Sequence, residues 1–573
     1  MDKTWNLPLG NADFESIRAN NFIFADKTRI IYELITKQTP FFLSRPRRFG
    51  KTLLLSVLRS IFEGRKDLFK GLWIYDQKDF NWDPSPVIHL SMGATGCNTA
   101  EKLNSRLRRK VLDIAKEESI EIVDDGPSYD FERLIIGLHD KYGKKVAILI
   151  DEYDAPIIDN LNNKALAEEM RKELKDFYGS LKNCEKQRGF IFITGISRFA
   201  KTSIFSGLNN LSDLTLNEDY ANILGFTSEE FDNLFKARME AVLNYFISKK
   251  RYKEIKTVDD LKKRILEWYD GYSWEGESSV LNPWAVLSFF DRKEFGNFWL
   301  ETGHPSFIAE MIKSGQINLS HLYNDNFFKE SMNIIDIGDK LNLKALLFQA
   351  GYLTIARTER LEDGIKYFLN FPNLEVRASM AQLFLSLNRP IERPLLLKKQ
   401  GKAILETLIN RDASGFKLAF KSFIGNFSYR SFTYTENFYS MIFTLAITFS
   451  GQLCEPQKEV EGGVMDLHLR SRYGDDFVIE IKYVPFQSTE DDNSADEIKE
   501  LMEKARDKAF EQIERNRYYF CFQGNGNKIY KTALVFGGRS AILIDFQEAR
   551  NWRLEWDEYH NTYSVKSPNS DDK

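Results

Sequence analysis

The sequence is poor in the residues that build covalent or metal frameworks. Its 573 residues hold only 4 cysteines (Cys97, Cys184, Cys454 and Cys521) and 6 histidines. No two cysteines form a CxxC pair and the histidines are scattered. This argues against a disulfide scaffold or a structural zinc site and points to a reducing compartment. Long apolar runs are missing too: no stretch of 18 uncharged apolar residues, roughly what a membrane span needs, occurs anywhere. The opening segment MDKTWNLPLGNADFESIRANNFIFADKT lacks the basic start and apolar core of a secretory signal. Net charge is almost absent, with 79 Lys+Arg against 83 Asp+Glu, a formal −4. That balance excludes a histone-like wrapper but leaves room for a local basic groove. No internal repeat is present. The expectation is a cytoplasmic protein without a membrane segment.

What the chain does have is core-forming material: 43% apolar residues, with 45 Phe, 24 Tyr and 9 Trp. At about 100–200 residues per domain, this length accommodates three or four folding units. The rhythm of the sequence predicts three, over residues 1–225, 226–395 and 396–573, in an α/β multidomain chain. In the N-terminal region the apolar runs TPFFLSRP, SPVIHLSM, KKVAILIDEYD and GFIFITGISR alternate with helical segments. Such runs fit a parallel sheet covered on both faces. The middle region opens with Thr227 three residues before Glu230, a capping-box signature, and continues as a small helical or mixed domain. A double-proline stretch, RPIERP at 389–394, looks like its boundary. In the C-terminal region a pair of helices precedes the strands VMDLHLRSR and DFVIEIKYV. A polar stretch at 487–497, a long helix and two further strands follow, and the terminal residues are expected to fray.

Two clusters of residues carry chemistry. SRPRRFGKT at 44–52 lies between an apolar run and a helix, the setting of a phosphate-binding loop. Arg47, Arg48 and Phe49 precede Gly50, which would let backbone approach a phosphate. Lys51 would reach the β/γ oxygens and Thr52 would place its hydroxyl on Mg²⁺. The pattern expects glycine at position 45, where this chain has Arg45. Some 100 residues on, the strand 145–150 ends in Asp151-Glu152. Asp151 is suited to hold Mg²⁺ and Glu152 to activate the attacking water. A third strand ends in Thr194-Gly195-Ile196-Ser197-Arg198. There a hydroxyl such as that of Ser197 could sense the γ-phosphate, and Arg198 could neutralise charge in cis or across a subunit interface of a homo-oligomer. Asp154 is open to two readings, a site residue or a cap before Pro156.

The second cluster is Asp466, Glu480 and Lys482, the pattern D…ExK over two adjacent strands. Asp466 and Glu480 could share Mg²⁺ or Mn²⁺, while Lys482, two residues from Glu480, would point the same way and act on water or phosphorane charge. Glu436, opening the preceding helix, and Gln512, on the following one, complete the candidate set. Charge alternation on an exposed hairpin would produce a similar pattern.

Taken together, these segments resemble bacterial and archaeal proteins that join an AAA-ATPase-like domain to a C-terminal PD-(D/E)XK nuclease-superfamily domain. The matching motifs are FADKT, FFLSRPRRFGKT, ILIDEYDAP, TGISR, EWYDGY, NPW, FPNLEV, ENFYS and IEIKY, in that order along almost the whole chain. The resemblance implies a P-loop fold, a helical or winged-helix-like lid and a restriction-endonuclease-like domain. An arginine at position 45 is usual for it. It implies ATP at Gly50, Lys51, Thr52, Asp151 and Glu152, and a nuclease site at Glu436, Asp466, Glu480 and Lys482. Where the family often has Gly-Arg-x-Asp, this chain reads Gly463-Val464-Met465-Asp466, without the arginine that could contact a phosphate. The expected activity is ATP-controlled, Mg²⁺-dependent cleavage of nucleic acid in defence against mobile elements. The competing expectation is a nucleotide-dependent switch or scaffold that binds without cutting.

Overall fold

The computed structural model describes residues 5–301, 325–328, 343–380, 394–426, 434–485, 495–522, 527–549, 553–557 and 562–566, apart from 38, 94–95, 124, 162, 199–203, 206–207, 209, 363, 453, 461–462, 472–473 and 539–540. Most of the polar stretch at 487–497, most of the 389–394 boundary and the last seven residues fall outside these. The chain forms two compact units, one holding residues up to Ile308 together with Asp325–Val376, the other chiefly Arg377–Lys573. All four cysteines are free thiols. No described helix is long and apolar enough to cross a membrane.

The first unit is built on a five-stranded parallel sheet: Phe41–Ser44 (β1), Val87–Ser91 (β2), Val146–Asp151 (β3), Arg188–Gly195 (β4) and Ser212–Asp213 (β5). Their spatial order is β2-β3-β4-β1-β5, every pairing parallel. Every residue of β3 is buried, as a strand covered by helices on both faces requires. Because all five strands run the same way, the residues that follow β1, β3 and β4 emerge at one edge of the sheet. That topology brings together the candidate phosphate loop, Asp151-Glu152 and Thr194–Arg198, segments that are far apart in sequence.

Downstream in the same unit, helices Ser228–Lys249, Val258–Tyr269 and Pro283–Arg292 bury an aromatic cluster that includes Phe231, Phe235, Phe246 and Phe289. The capping box forms as its spacing predicts. The Glu230 amide donates to Thr227 Oγ1 at 3.2 Å and the Thr227 amide to Glu230 Oε2 at 2.9 Å. The same Oε2 lies 2.7 Å from Lys27 Nζ, so the FADKT segment is fastened to the start of this helix. A three-stranded antiparallel sheet follows, formed by Asp325–Phe328 (β6), Thr354–Leu361 (β7) and Gly364–Asn370 (β8) in the order β6-β8-β7. The charged sequence TIARTERL hides β7, because only its first two residues are buried.

The second unit holds helices Pro394–Ile409, Ala413–Ile424 and Glu436–Ser450, then a mixed sheet ordered β13-β12-β11-β10-β9. Its strands are Glu455–Val460 (β9), Gly463–Arg470 (β10), Asp476–Val484 (β11), Ile529–Gly537 (β12) and Ala541–Glu548 (β13). β10 and β11 form the antiparallel hairpin expected from the sequence. β11 and β12 are parallel, and the helix Ala495–Arg515 makes the crossover that parallel neighbours need. The polar edge strand β9, EPQKEV, carries too little apolar patterning to be read in advance.

Candidate functional site

At the sheet edge of the first unit, the loop after β1 ends at Gly50, whose φ of +96° caps the helix Lys51–Phe62. A side chain there would be strained, and the helix N-terminus is the end suited to an anion. Lys51 opens this helix almost fully buried, its Nζ donating to the carbonyls of Arg45 (2.8 Å) and Pro46 (2.9 Å). Burial pulls its pKa down, against the opposing charges of Asp151, Glu152 and Asp154. Thr52 Oγ1 donates to Asp151 Oδ2 at 2.6 Å, and Thr194 Oγ1 donates to Asp151 Oδ1 at 2.6 Å. One carboxylate therefore joins the ends of β3 and β4 to the phosphate loop. Thr52 and Asp151 are hard oxygen donors already in contact, a set that fits Mg²⁺ beside a triphosphate.

Glu152 has a φ of +52°, a left-handed backbone uncommon for a non-glycine residue. Burial, then the neighbouring Asp151 charge, push its pKa upward, with Lys51 opposing. Its carboxylate rests over Gly93, just beyond β2, where a Cβ would lie 1.8 Å from Glu152 Oε2. Glycine at 93 is what leaves room for the carboxylate, a role invisible in sequence because the two residues are 59 apart.

Arg45, in the position of the missing glycine, is completely buried. Its guanidinium donates to the carbonyls of Ser44 (2.9 Å), Thr215 (2.9 Å) and Tyr220 (3.2 Å) and lies 4.0 Å from the ring centre of Trp274. Burial lowers its pKa to about 9, with Asp213 opposing, so the group stays charged at neutral pH. The loop is thus held by a cation that clamps carbonyls rather than by a flexible first glycine. Arg48, with φ +67°, sits 4.8 Å from the Trp284 ring centre, and Phe49 packs edge-on against Tyr272 and Trp274. Arg47 lies 4.0 Å from Asp159, both about half exposed, an ion pair of little energetic weight. The loop, Glu152, the 23–27 segment and Trp284 line one cleft of about 570 Å³.

Other candidates are committed to protein partners. Asp154 accepts the amides of Ile196 and Ser197 and the Ser197 hydroxyl, all within the buried joint between β3 and β4. That places Asp154 and Ser197 in one structural knot. Arg198 pairs with Asp213 of β5.

In the second unit, Glu436 opens the helix Glu436–Ser450 behind the cap residue Thr435. Leu467 lies opposite Ile479 in the hairpin, which sets Asp466 beside Glu480. Asp466 Oδ2 accepts the Ile481 amide at 2.7 Å. Lys482 Nζ lies 2.8 Å from Glu480 Oε1 and 3.6 Å from Glu436 Oε1. Glu480 is fully buried, and its second oxygen, Oε2, has no hydrogen-bond partner. Burial, followed by the Asp466 charge, pushes its pKa up to about 8 despite Lys482. Burial alone would lower the Lys482 pKa; the Glu480, Glu436 and Asp466 charges outweigh it and hold it above its ordinary value. Among the described residues no three His, Cys, Asp or Glu side chains converge to cage an ion. The donor set nonetheless fits a divalent cation held by Asp466 and the unpartnered Glu480 oxygen, with other oxygens completing its shell. Gln512 Nε2 is 3.4 Å from Tyr518 Oη, which donates to the Val464 carbonyl. Val464, near the start of β10, is 44% exposed.

Comparison with known proteins agrees with both regions. The family model of a predicted AAA-ATPase matches residues 8–205, and that of the PD-(D/E)XK nuclease superfamily matches residues 434–546. An uncharacterized protein in the vnfD 5′ region of Azotobacter chroococcum mcd 1 is 32% identical over 424 residues, covering 73% of this chain and 77% of the relative. The chain therefore belongs to the family that joins an AAA-ATPase-like domain to a C-terminal PD-(D/E)XK nuclease-superfamily domain.

Proposed function

We propose that the protein is an ATP-hydrolysing, metal-dependent nuclease whose cleavage of DNA or RNA is controlled by its nucleotide site, in defence against mobile elements. The observation that carries the cleavage reading is the buried Glu480. One of its oxygens is on Lys482, and the other lacks a partner. A buried carboxylate oxygen left bare is costly unless a ligand completes it. Asp466 and Glu480 would hold Mg²⁺ or Mn²⁺, which supplies a Lewis acid and an acidified water there. Lys482 then stands within reach of the water or of charge developing on the phosphate. In the other site, Lys51 would exchange the Arg45 and Pro46 carbonyls for phosphate oxygens, Thr52 and Asp151 would hold Mg²⁺, and Glu152 would accept the proton of the attacking water. The test is incubation of the full chain with plasmid, linear and single-stranded DNA and with RNA, with Mg²⁺ or Mn²⁺, and with or without ATP. Cleavage that needs the metal and responds to ATP is the expected result. Binding without cleavage of any substrate would leave a nucleotide-dependent scaffold in its place.

A further inference from the structure

The motifs around Trp274, Trp284 and 371–376 have no part in either proposed reaction, yet Trp274 and Trp284 pack on the candidate phosphate loop and 371–376 is tied to it through Trp299. Arg45 lies over Trp274, Arg48 over Trp284 and Phe49 against Tyr272. A Cβ on Gly351 would lie 2.7 Å from the Pro46 side chain. The most informative of these braces is Trp299, which is buried and has two ends. Its indole Nε1 donates to the Arg47 carbonyl of the loop at 3.1 Å. Its backbone amide donates to Glu375 Oε1 at 2.7 Å. Its ring packs against Tyr352 at 5.1 Å. Glu375 is fully buried at the start of the helical segment 374–380, by which the chain leaves the first unit after Val376. Two residues later, within the second unit, Arg377 donates to the carbonyl of Cys454, which immediately precedes β9.

We propose that Trp299 is a positioning residue that couples the phosphate loop to Glu375, so that nucleotide at the loop and the state of segment 374–380 bias each other. The inference rests on the nucleotide reading of the loop given above. The physical basis is differential. Lys51 now holds the Arg45 and Pro46 carbonyls, and a triphosphate that takes Lys51 away releases them, one residue from the carbonyl that Trp299 holds. The Trp299–Arg47 bond therefore has a different strength with the loop empty and filled, which is the condition for coupling. A single hydrogen bond supports an effect of about threefold to tenfold on the opening equilibrium of the segment.

The test is hydrogen–deuterium exchange on the full chain with Mg²⁺ and a non-hydrolysable ATP analogue, read at residues 45–53 and 374–380. Wild type should change exchange in both segments. Trp299→Phe keeps the packing on Tyr352 and loses only the indole N–H. It should retain the change at 45–53 and lose that at 374–380. Should that variant fail to fold, Glu375→Gln is read in the same way, with a weakened response expected at 374–380. A wild type that responds at the loop but not at 374–380, or a variant that keeps the full response there, overturns the coupling while the nucleotide reading stands. No response at 45–53 in wild type removes the nucleotide reading itself, and the coupling with it.

Discussion

The two candidate sites differ in how their charges are partnered. At the phosphate loop, neutral protein groups stand where ligands would come: two carbonyls on Lys51 and two threonine hydroxyls on Asp151. In the second unit, Lys482 of β11 leans on the carboxyl groups of Glu480 in the same strand and of Glu436 at the start of the preceding helix, and a buried Glu480 oxygen is left without a hydrogen bond. On the proposed reading, the first arrangement is a set of exchangeable placeholders that keep the loop in shape without nucleotide, and the second leaves one buried oxygen for a cation to complete. The lesson is that the ATP site would be set by shape and the cleavage site by charge, and variants should separate the two.

The largest expected effect is at the hairpin. Lys482→Ala should lower the cleavage rate by roughly 10²–10⁴ while leaving Mn²⁺ binding in place, because on the proposed reading the lysine would act on water and phosphate rather than hold the ion. Asp466→Ala should lose metal and cleavage together. Calorimetric Mn²⁺ titration beside a cleavage assay distinguishes the pair, and equal loss of metal in both variants would make Lys482 structural.

Next comes Lys51→Ala, which should weaken ATP binding by roughly a hundredfold or more, since a charge-assisted contact to phosphate contributes about 1.5–3 kcal/mol per bond. Fluorescent nucleotide titration measures it; unchanged affinity would remove the loop assignment. Gly93→Ala is a finer probe of the same site. The added methyl occupies the space of the Glu152 carboxylate. Hydrolysis should fall roughly tenfold to hundredfold with nucleotide affinity nearly intact, as misplacement of a catalytic group by about 1 Å predicts. Hydrolysis at the wild-type rate would take Glu152 out of the base role.

The smallest effect concerns pH. Glu480, with its pKa raised to about 8, is largely protonated at neutral pH, and a cation must displace that proton. Mn²⁺ affinity should therefore rise with pH, by at most about tenfold per unit, and level off above the raised value. Glu480→Gln should flatten the profile and weaken binding throughout. An affinity independent of pH between about 6 and 8.5, a range that spans the raised value, would mean that Glu480 is not a ligand.

Much of this was legible in the sequence wherever a signal is local. The glycine and lysine before a helix, the acidic end of β3, the capping box at Thr227 and the ExK spacing each lie within a few residues. What was hidden depends on chain segments that meet only in the fold. Nothing near Arg45 announces the carbonyls of Thr215 and Tyr220, about 170 residues away. Likewise, nothing near Gly93 announces Glu152. Ser197 reads as a phosphate-sensing hydroxyl and Arg198 as a charge neutraliser from their strand-end position, but their partners come from elsewhere in the sequence, Asp154 from the turn after β3 and Asp213 from β5. Gln512 sits on the right helix, but the side chain it meets is Tyr518. Strands β7 and β9 escaped because charged, half-exposed edges lack the alternation that reveals a strand.

The central claim is that one chain carries a nucleotide site that controls a metal-dependent cleavage site. It is tested most directly by one cleavage time course in Mn²⁺, with and without ATP, on wild type, Lys51→Ala and Lys482→Ala. Wild type should cut nucleic acid at a rate that changes with ATP. Lys51→Ala should cut at one rate whether ATP is present or not, and Lys482→Ala should not cut measurably. Cleavage by Lys482→Ala at the wild-type rate, or an undiminished ATP response in Lys51→Ala, would contradict it.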